Sequence, residues 1–129
     1  MAIPTDVTYG LEVRVNAHAA LLALIDAGGG PGVVKILGTI EELLATVTLT
    51  DPAGTVNAGT GQLTLTPAAP AVAGVSGTAA YCEICDSAGV VRLAMPAQAG
   101  TAAVSGKIVI NSLSITAGTE VTVLSAVIG

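Results

Sequence analysis

The sequence predicts a mainly β domain: an antiparallel β-sandwich or barrel-like fold of about seven or eight short strands with one N-terminal α-helix. Three observations carry this. Hydrophobic residues recur with a helical period only before residue 28, and after it they alternate with threonine at period two. Gly, Pro, Asn and Asp then punctuate the alternating part at short intervals. At 129 residues the chain holds one domain with a real core and is too short for two. It divides into an arm over 1–9, a helix over 10–27 and a β-sandwich over 33–129.

Within the helix, Leu11, Val15, His18, Leu22 and Ile25 step by four, three, four and three residues, and Leu21 and Leu24 widen the stripe. Asp6 or Thr8 is placed to cap the start, and Gly28 stands where a left-handed C-cap glycine belongs. The helix should therefore end at Asp26 or Ala27.

Beyond the Gly28-Gly29-Gly30-Pro31-Gly32 loop, Val33 to Leu37 reads as a strand. From Leu43 to Thr50, Ala45, Val47 and Leu49 alternate with Thr46, Thr48 and Thr50, the pattern of a half-buried strand with a threonine-lined outer face. Gln62 to Thr66 repeats it with Leu63 and Leu65 inward. Further strands are expected at Thr78 to Asp86, Val90 to Met95, Gly106 to Ile110, Ser112 to Thr116 and Val121 to Val127. Two segments read as long loops: Asp51 to Gly61, opening on an Asp51-Pro52-Ala53-Gly54 turn, and Pro67 to Gly77, rich in Ala, Pro and Gly and expected to be ordered by a neighbour.

Composition narrows the function. Hydrophobic residues make up 52% of the chain and charged residues 10%, against about 25% charged in ordinary domains, and mean hydropathy is +0.81. A folded monomer of this mass exposes about 6,200 Å², so its four basic and nine acidic side chains are spread thinly over the surface. Apolar patches above a few hundred Å² usually mark interfaces, and the sequence predicts an obligate oligomer or a subunit bound to a larger surface. A net charge of −5, with Arg14, Lys35, Arg92 and Lys107 scattered, argues against nucleic acid, which needs a clustered basic footprint. Tyr9 and Tyr81 are the only aromatics, which leaves no stacking platform. No stretch approaches the length of a membrane span. Residues 1–6 have no basic segment followed by an apolar one, so no secretory signal is expected, and synthesis should be cytoplasmic with both cysteines reduced.

The candidates for chemistry are few. Cys82 and Cys85 form a Cys-x-x-Cys, a spacing that invites a zinc or redox reading. On a strand, residues three apart point to opposite faces, so the two sulfurs diverge and read as ordinary small thiols. His18 lies on the helix stripe and has no second histidine to share a metal. The glycine run follows a helix and opens a strand, the reverse of a phosphate loop. Glu41 and Glu42 are adjacent and diverge on a strand, while Asp51, Asp86 and Glu120 sit at separate turns or strand ends. Catalytic, cofactor-binding and metal-binding residues are therefore expected to be none.

Residues Gly77 to Met95, with Ala79-Ala80-Tyr81 followed by Asp86-Ser87-Ala88-Gly89-Val90-Val91, resemble the hairpin signature of small tailed-phage capsid decoration (cement) proteins. The run from Ile115 to Ser125 is similar too, as are the helix closing on Asp26-Ala27-Gly28 and the Leu43 to Thr50 strand. The chain departs from that pattern at Tyr81-Cys82, where an aromatic-Arg pair is common, and at Ala94-Met95-Pro96, where Asp-Gly is common. The resemblance implies a virion subunit on the capsid exterior, synthesised in the host cytoplasm, that bridges major capsid proteins and reinforces the shell. It implies the major capsid protein and further copies of the chain, as a dimer or trimer, as partners, with no nucleic acid and no membrane. Contacts are expected from the arm, through Ala2, Ile3, Pro4, Val7 and Tyr9, and from the second loop, through Pro67, Pro70 and Val72. A tail or tail-fibre subunit and a cellular binding module remain the alternatives.

Overall fold

The computed structural model describes residues 9–129. One helix, α1 (Leu11–Ile25), is followed by ten strands: β1 (Val33–Gly38), β2 (Leu43–Val56), β3 (Leu63–Pro67), β4 (Ala71–Val72), β5 (Gly77–Cys85), β6 (Val91–Ala99), β7 (Lys107–Ile110), β8 (Ser114–Ile115), β9 (Glu120–Val121) and β10 (Val123–Ile128). Seven of them close a barrel in the order β1-β2-β3-β10-β7-β6-β5, and β5 pairs back onto β1. The remaining three are two-residue strands: β8 extends β5, and β4 pairs with β9.

Two long strands decide between sandwich and barrel. The first half of β2 pairs with β1, from Leu43 to Thr48, whereas Gly54 to Val56 pair with β3. The first half of β6, through Pro96, pairs with β5, whereas Ala97 to Ala99 pair with β7. Two sheets thus share two strands that bend from one sheet into the other, a flattened barrel with corners. Each corner holds a proline, Pro52 in β2 and Pro96 in β6. Proline has no N–H to give a ladder, so in sheets it sits at edges and bulges, and here it falls where a strand leaves one partner for another.

This overturns the loop expected over Asp51 to Gly61. Strand β2 runs through Asp51-Pro52-Ala53-Gly54, and only 57–61 turns. Between Leu49 and Gly54 the partner strand advances only from Pro67 to Leu65, so the surplus residues bulge out. Thr50 Oγ1 donates to Pro52 O at 2.8 Å and to Thr66 O at 3.3 Å across the bulge. Gly54 is required beyond it, because a Cβ there would lie 2.0 Å from the backbone oxygen of Thr64.

The expected alternation is present. Ala45, Val47 and Leu49 are buried while Thr46 and Thr48 are exposed, and Leu63 and Leu65 point inward from β3. Val34, Ile36, Cys82, Ile84, Ile108, Ile110, Val123 and Ala126 complete the interior. Fully burying one such aliphatic side chain contributes about 1.5–3 kcal/mol. One pairing departs from the antiparallel expectation: β6 and β7 are parallel. Parallel neighbours usually need a crossover of about a dozen residues. Here the ladder is only three residues long, so 100–106 are enough to carry the chain back along the barrel.

Helix α1 stops at Ile25, with Asp26 as its C-cap and Gly28 left-handed at φ 96°, as expected. Gly10 occupies the N-cap position without a side-chain cap, and the proposed caps Asp6 and Thr8 lie outside the described residues. Ile25 is fully buried, and Leu21 and Leu22 pack on the core. Leu11 and Leu24 are corrections to the stripe: both are largely exposed.

Candidate interaction surface

The strand directions give the barrel two distinct ends. At one end lie α1, the 57–61 turn and the Asp86–Gly89 turn. The other end collects the β1–β2 turn, the 68–77 segment and the turns of 111–122.

At the second end, the β1–β2 hairpin is closed by Gly38 N donating to Glu42 O at 2.9 Å and Glu41 N to Gly38 O at 3.0 Å. Glu41 in this turn takes the left-handed φ of 65°. Ile40 at that tip is 79% exposed, the most exposed large hydrophobic among the described residues. Leu43, Val72 and Val75 are also exposed there. The sequence reading missed Ile40, Leu43 and Val75. The available signal was an isoleucine within a turn, where alternation gives it no inward side.

The 68–77 segment is not a loop waiting for a neighbour to order it. Its own chain stitches it down: Ala68 N donates to Thr48 O at 2.9 Å, Ala73 N to Thr119 O at 2.9 Å and Gly74 N to Leu44 O at 3.0 Å. Gly118 N and Ala117 N then donate to Ala73 O and Ser76 Oγ at 2.9 and 2.8 Å. Ala73 is buried, and Pro70 and Val72 are held outward on a braced ribbon. Pro67 ends β3 opposite Leu49 and is half-buried. Tyr9 is exposed at the opposite end, where Arg14 donates to its carbonyl at 2.7 Å. Ala2, Ile3, Pro4 and Val7 lie outside the described residues. The expected contact residues are therefore split, with Pro70 and Val72 at one end and Tyr9 at the other.

Charge is divided in the same way. Glu41, Glu42 and Glu120 are placed around the exposed aliphatic residues, and one Glu42 carboxylate oxygen is buried without a partner. Of the basic residues, Lys35 lies midway along β1, and Arg14, Arg92 and Lys107 belong to the helix end. Among the described residues, the end that carries Ile40 thus has only negative charge.

None of the candidates for chemistry converges. Cys82 is part of the barrel core, where burial pushes its thiol up to about 12. Cys85 lies outside that core cluster, its thiol raised by burial despite the nearby Lys35 charge, and both cysteines are free. His18 Nδ1 shares a hydrogen bond with Gly61 O, tying α1 to the 57–61 turn. Asp86 is nearly buried and organises the β5–β6 turn: its Oδ1 accepts from Ala88 N at 2.9 Å and Val90 N at 3.0 Å, and its Oδ2 accepts from Arg92 at 2.9 Å. These bonds, Val90's first, hold its carboxyl below the usual range. Gly28 packs under that turn, where Ser87 Oγ donates to Ala27 O at 3.1 Å. Among the described residues no three His, Cys, Asp or Glu side chains are grouped to hold a metal ion, and no helix is long and apolar enough to cross a membrane.

No family model, curated protein or solved structure matches this chain.

Proposed function

We propose that the chain is a structural virion protein that binds the outer surface of an assembled phage capsid and stabilises it by bridging major capsid proteins. The observation that carries the reading is the braced end of the barrel, where Ile40, Leu43, Val72 and Val75 stand exposed beside Glu41, Glu42 and Glu120. Such an end suits a partner groove that is apolar at its centre and basic at its rim. The likeness of Gly77 to Met95 to the cement-protein hairpin supports the major capsid protein as that partner. A cement protein acts in many copies on a repeating lattice, so a modest patch per copy gives firm attachment through avidity. Bracing also lowers the ordering cost of binding, since the contact ribbon is already hydrogen-bonded to β2 and to the 117–119 turn.

The test is sedimentation of the purified chain with expanded empty shells, immature proheads and free capsid protein. Binding to expanded shells alone is expected. Binding that ignores shell state, or labelling that places the chain on tails, overturns the reading.

A further inference from the structure

Helix α1 has a second apolar side that the barrel does not use. Val13, Ala17, Ala20 and Leu24, spaced by four, three and four residues, are all exposed. The inward side is a different set: His18, Leu21, Leu22 and Ile25. The spacing of four, three and four is that of a helix-packing seam.

We infer that this outer stripe is a dimerisation seam, occupied by α1 of a second copy running antiparallel. The order large, small, small, large reads the same in both directions. A two-fold axis between Ala17 and Ala20 therefore sets Val13 against Leu24 of the partner subunit and Ala17 against Ala20 of the partner subunit. That self-complementarity is what an isologous interface requires, and an unrelated partner would not impose it. The central alanines let the two backbones approach closely, while the larger residues close the seam at its ends.

Charge permits the pairing. The stripe itself carries none; Glu12 and Asn16 lie to one side of it, and Arg14 is engaged with the carbonyls of Tyr9 and Thr60 at 2.7 and 3.3 Å. The exposed Val90 and Val91 lie just after the Asp86–Gly89 turn, which Ser87 ties to the helix end, the end an antiparallel partner brings Tyr9 and Leu11 towards.

Area sets the strength. A helix of 15 residues offers a strip about 22 Å long and about 10 Å wide. That falls well short of the ~800 Å² per partner of a standard interface, so the dimer is weak, with Kd of order 10–100 μM. The seam lies at the barrel end opposite Ile40, so a dimer leaves that end free. The inference does not rest on the virion reading, because it is measured without shells.

Sedimentation equilibrium of the full chain across this concentration range tests it. Reversible dimers are expected for the wild type and for Ala23→Glu, a change at an exposed alanine off the stripe; Ala20→Glu should weaken association at least tenfold. Under mild oxidation, Ala17→Cys combined with Ala20→Cys should give a covalent dimer, and either single change should not. A wild type that stays monomeric overturns the inference and leaves residues 1–8 or the shell as what covers the stripe. Dimers that survive Ala20→Glu undiminished, or single-cysteine variants that cross-link as well as the double one, also overturn it.

Discussion

The carboxylate of Asp26 accepts a hydrogen bond from the backbone amide of Ala53 at 2.8 Å, joining the end of α1 to the corner at which β2 changes sheets. Ala53 is fully buried, and the bulge has taken its amide out of the strand ladder. Asp26→Ala leaves that donor without a partner, a cost of about 1–3 kcal/mol. Chemical denaturation should show the loss with an unchanged slope. If the loss is below a few tenths of a kcal/mol, the contact does not hold the corner.

Asp86 makes stability depend on pH. Its folded carboxyl is held below the usual range, first by the Val90 amide and then by Arg92 and Ala88. The stabilisation is complete above the ordinary carboxylate value of about 3.9 and fades as pH falls through the lower folded value. Asp86→Asn should melt at a lower temperature than wild type near neutral pH, and the gap should narrow over the range below about pH 4. A gap that stays constant across that range would show that the charge contributes nothing.

Two glycines should respond oppositely to alanine. At Gly54 the added Cβ meets the Thr64 carbonyl and forces β2 away from β3, a cost of about 3 kcal/mol or more. At Gly74 nothing lies within 4 Å, and reduced freedom of the unfolded chain makes the change neutral or stabilising by up to about 1 kcal/mol. Thermal melts of Gly54→Ala and Gly74→Ala compare the two directly.

Cys82 should be chemically silent in the native state. Its thiol, pushed up to about 12, is closed off in the core, so a disulfide reagent near pH 8 should label it only on unfolding. Cys82→Ser buries a hydroxyl in an apolar site and should cost about 1–3 kcal/mol. Rapid labelling of Cys82 in folded protein would show that the barrel opens there.

Ile40 tests the proposed contact end. Ile40→Asp alters an exposed side chain and should change the unfolding free energy by no more than the amount typical of surface changes, about 0.5 kcal/mol. Shell occupancy should fall at least tenfold, and Tyr9→Ala should leave it unchanged. The reverse ranking would move the contact to the helix end.

Much of the strand content was legible because alternation is a local property. A threonine between two buried aliphatics marks which side of a strand faces water whatever the partner strand is, and Leu43 to Thr50 and Gln62 to Thr66 were read in this way. The same property hid β2's passage through Asp51-Pro52-Ala53-Gly54, since Asp and Pro at successive positions are as good a turn as they are a corner. The helix was legible in extent and only in part in facing. Apolar residues line two of its sides, and periodicity alone cannot say which side the barrel covers. Of the residues exposed at the Ile40 end, Pro70 and Val72 were singled out from the sequence, while Ile40 was not.

The order of apolar, polar and turn-forming residues was enough to establish one helix, a β domain and the inward face of its main strands. It could not establish that β1 closes on β5, that β6 runs parallel to β7, or that Val13, Ala17, Ala20 and Leu24 are left outside. Strand pairing is made by backbone groups that every residue shares, so side-chain pattern sets the face of a strand and leaves its neighbour open. That choice is made only when the whole chain packs, by the arrangement that buries Ile25, Ile36, Leu49 and Ile84 together and gives a corner amide such as Ala53's a partner in Asp26.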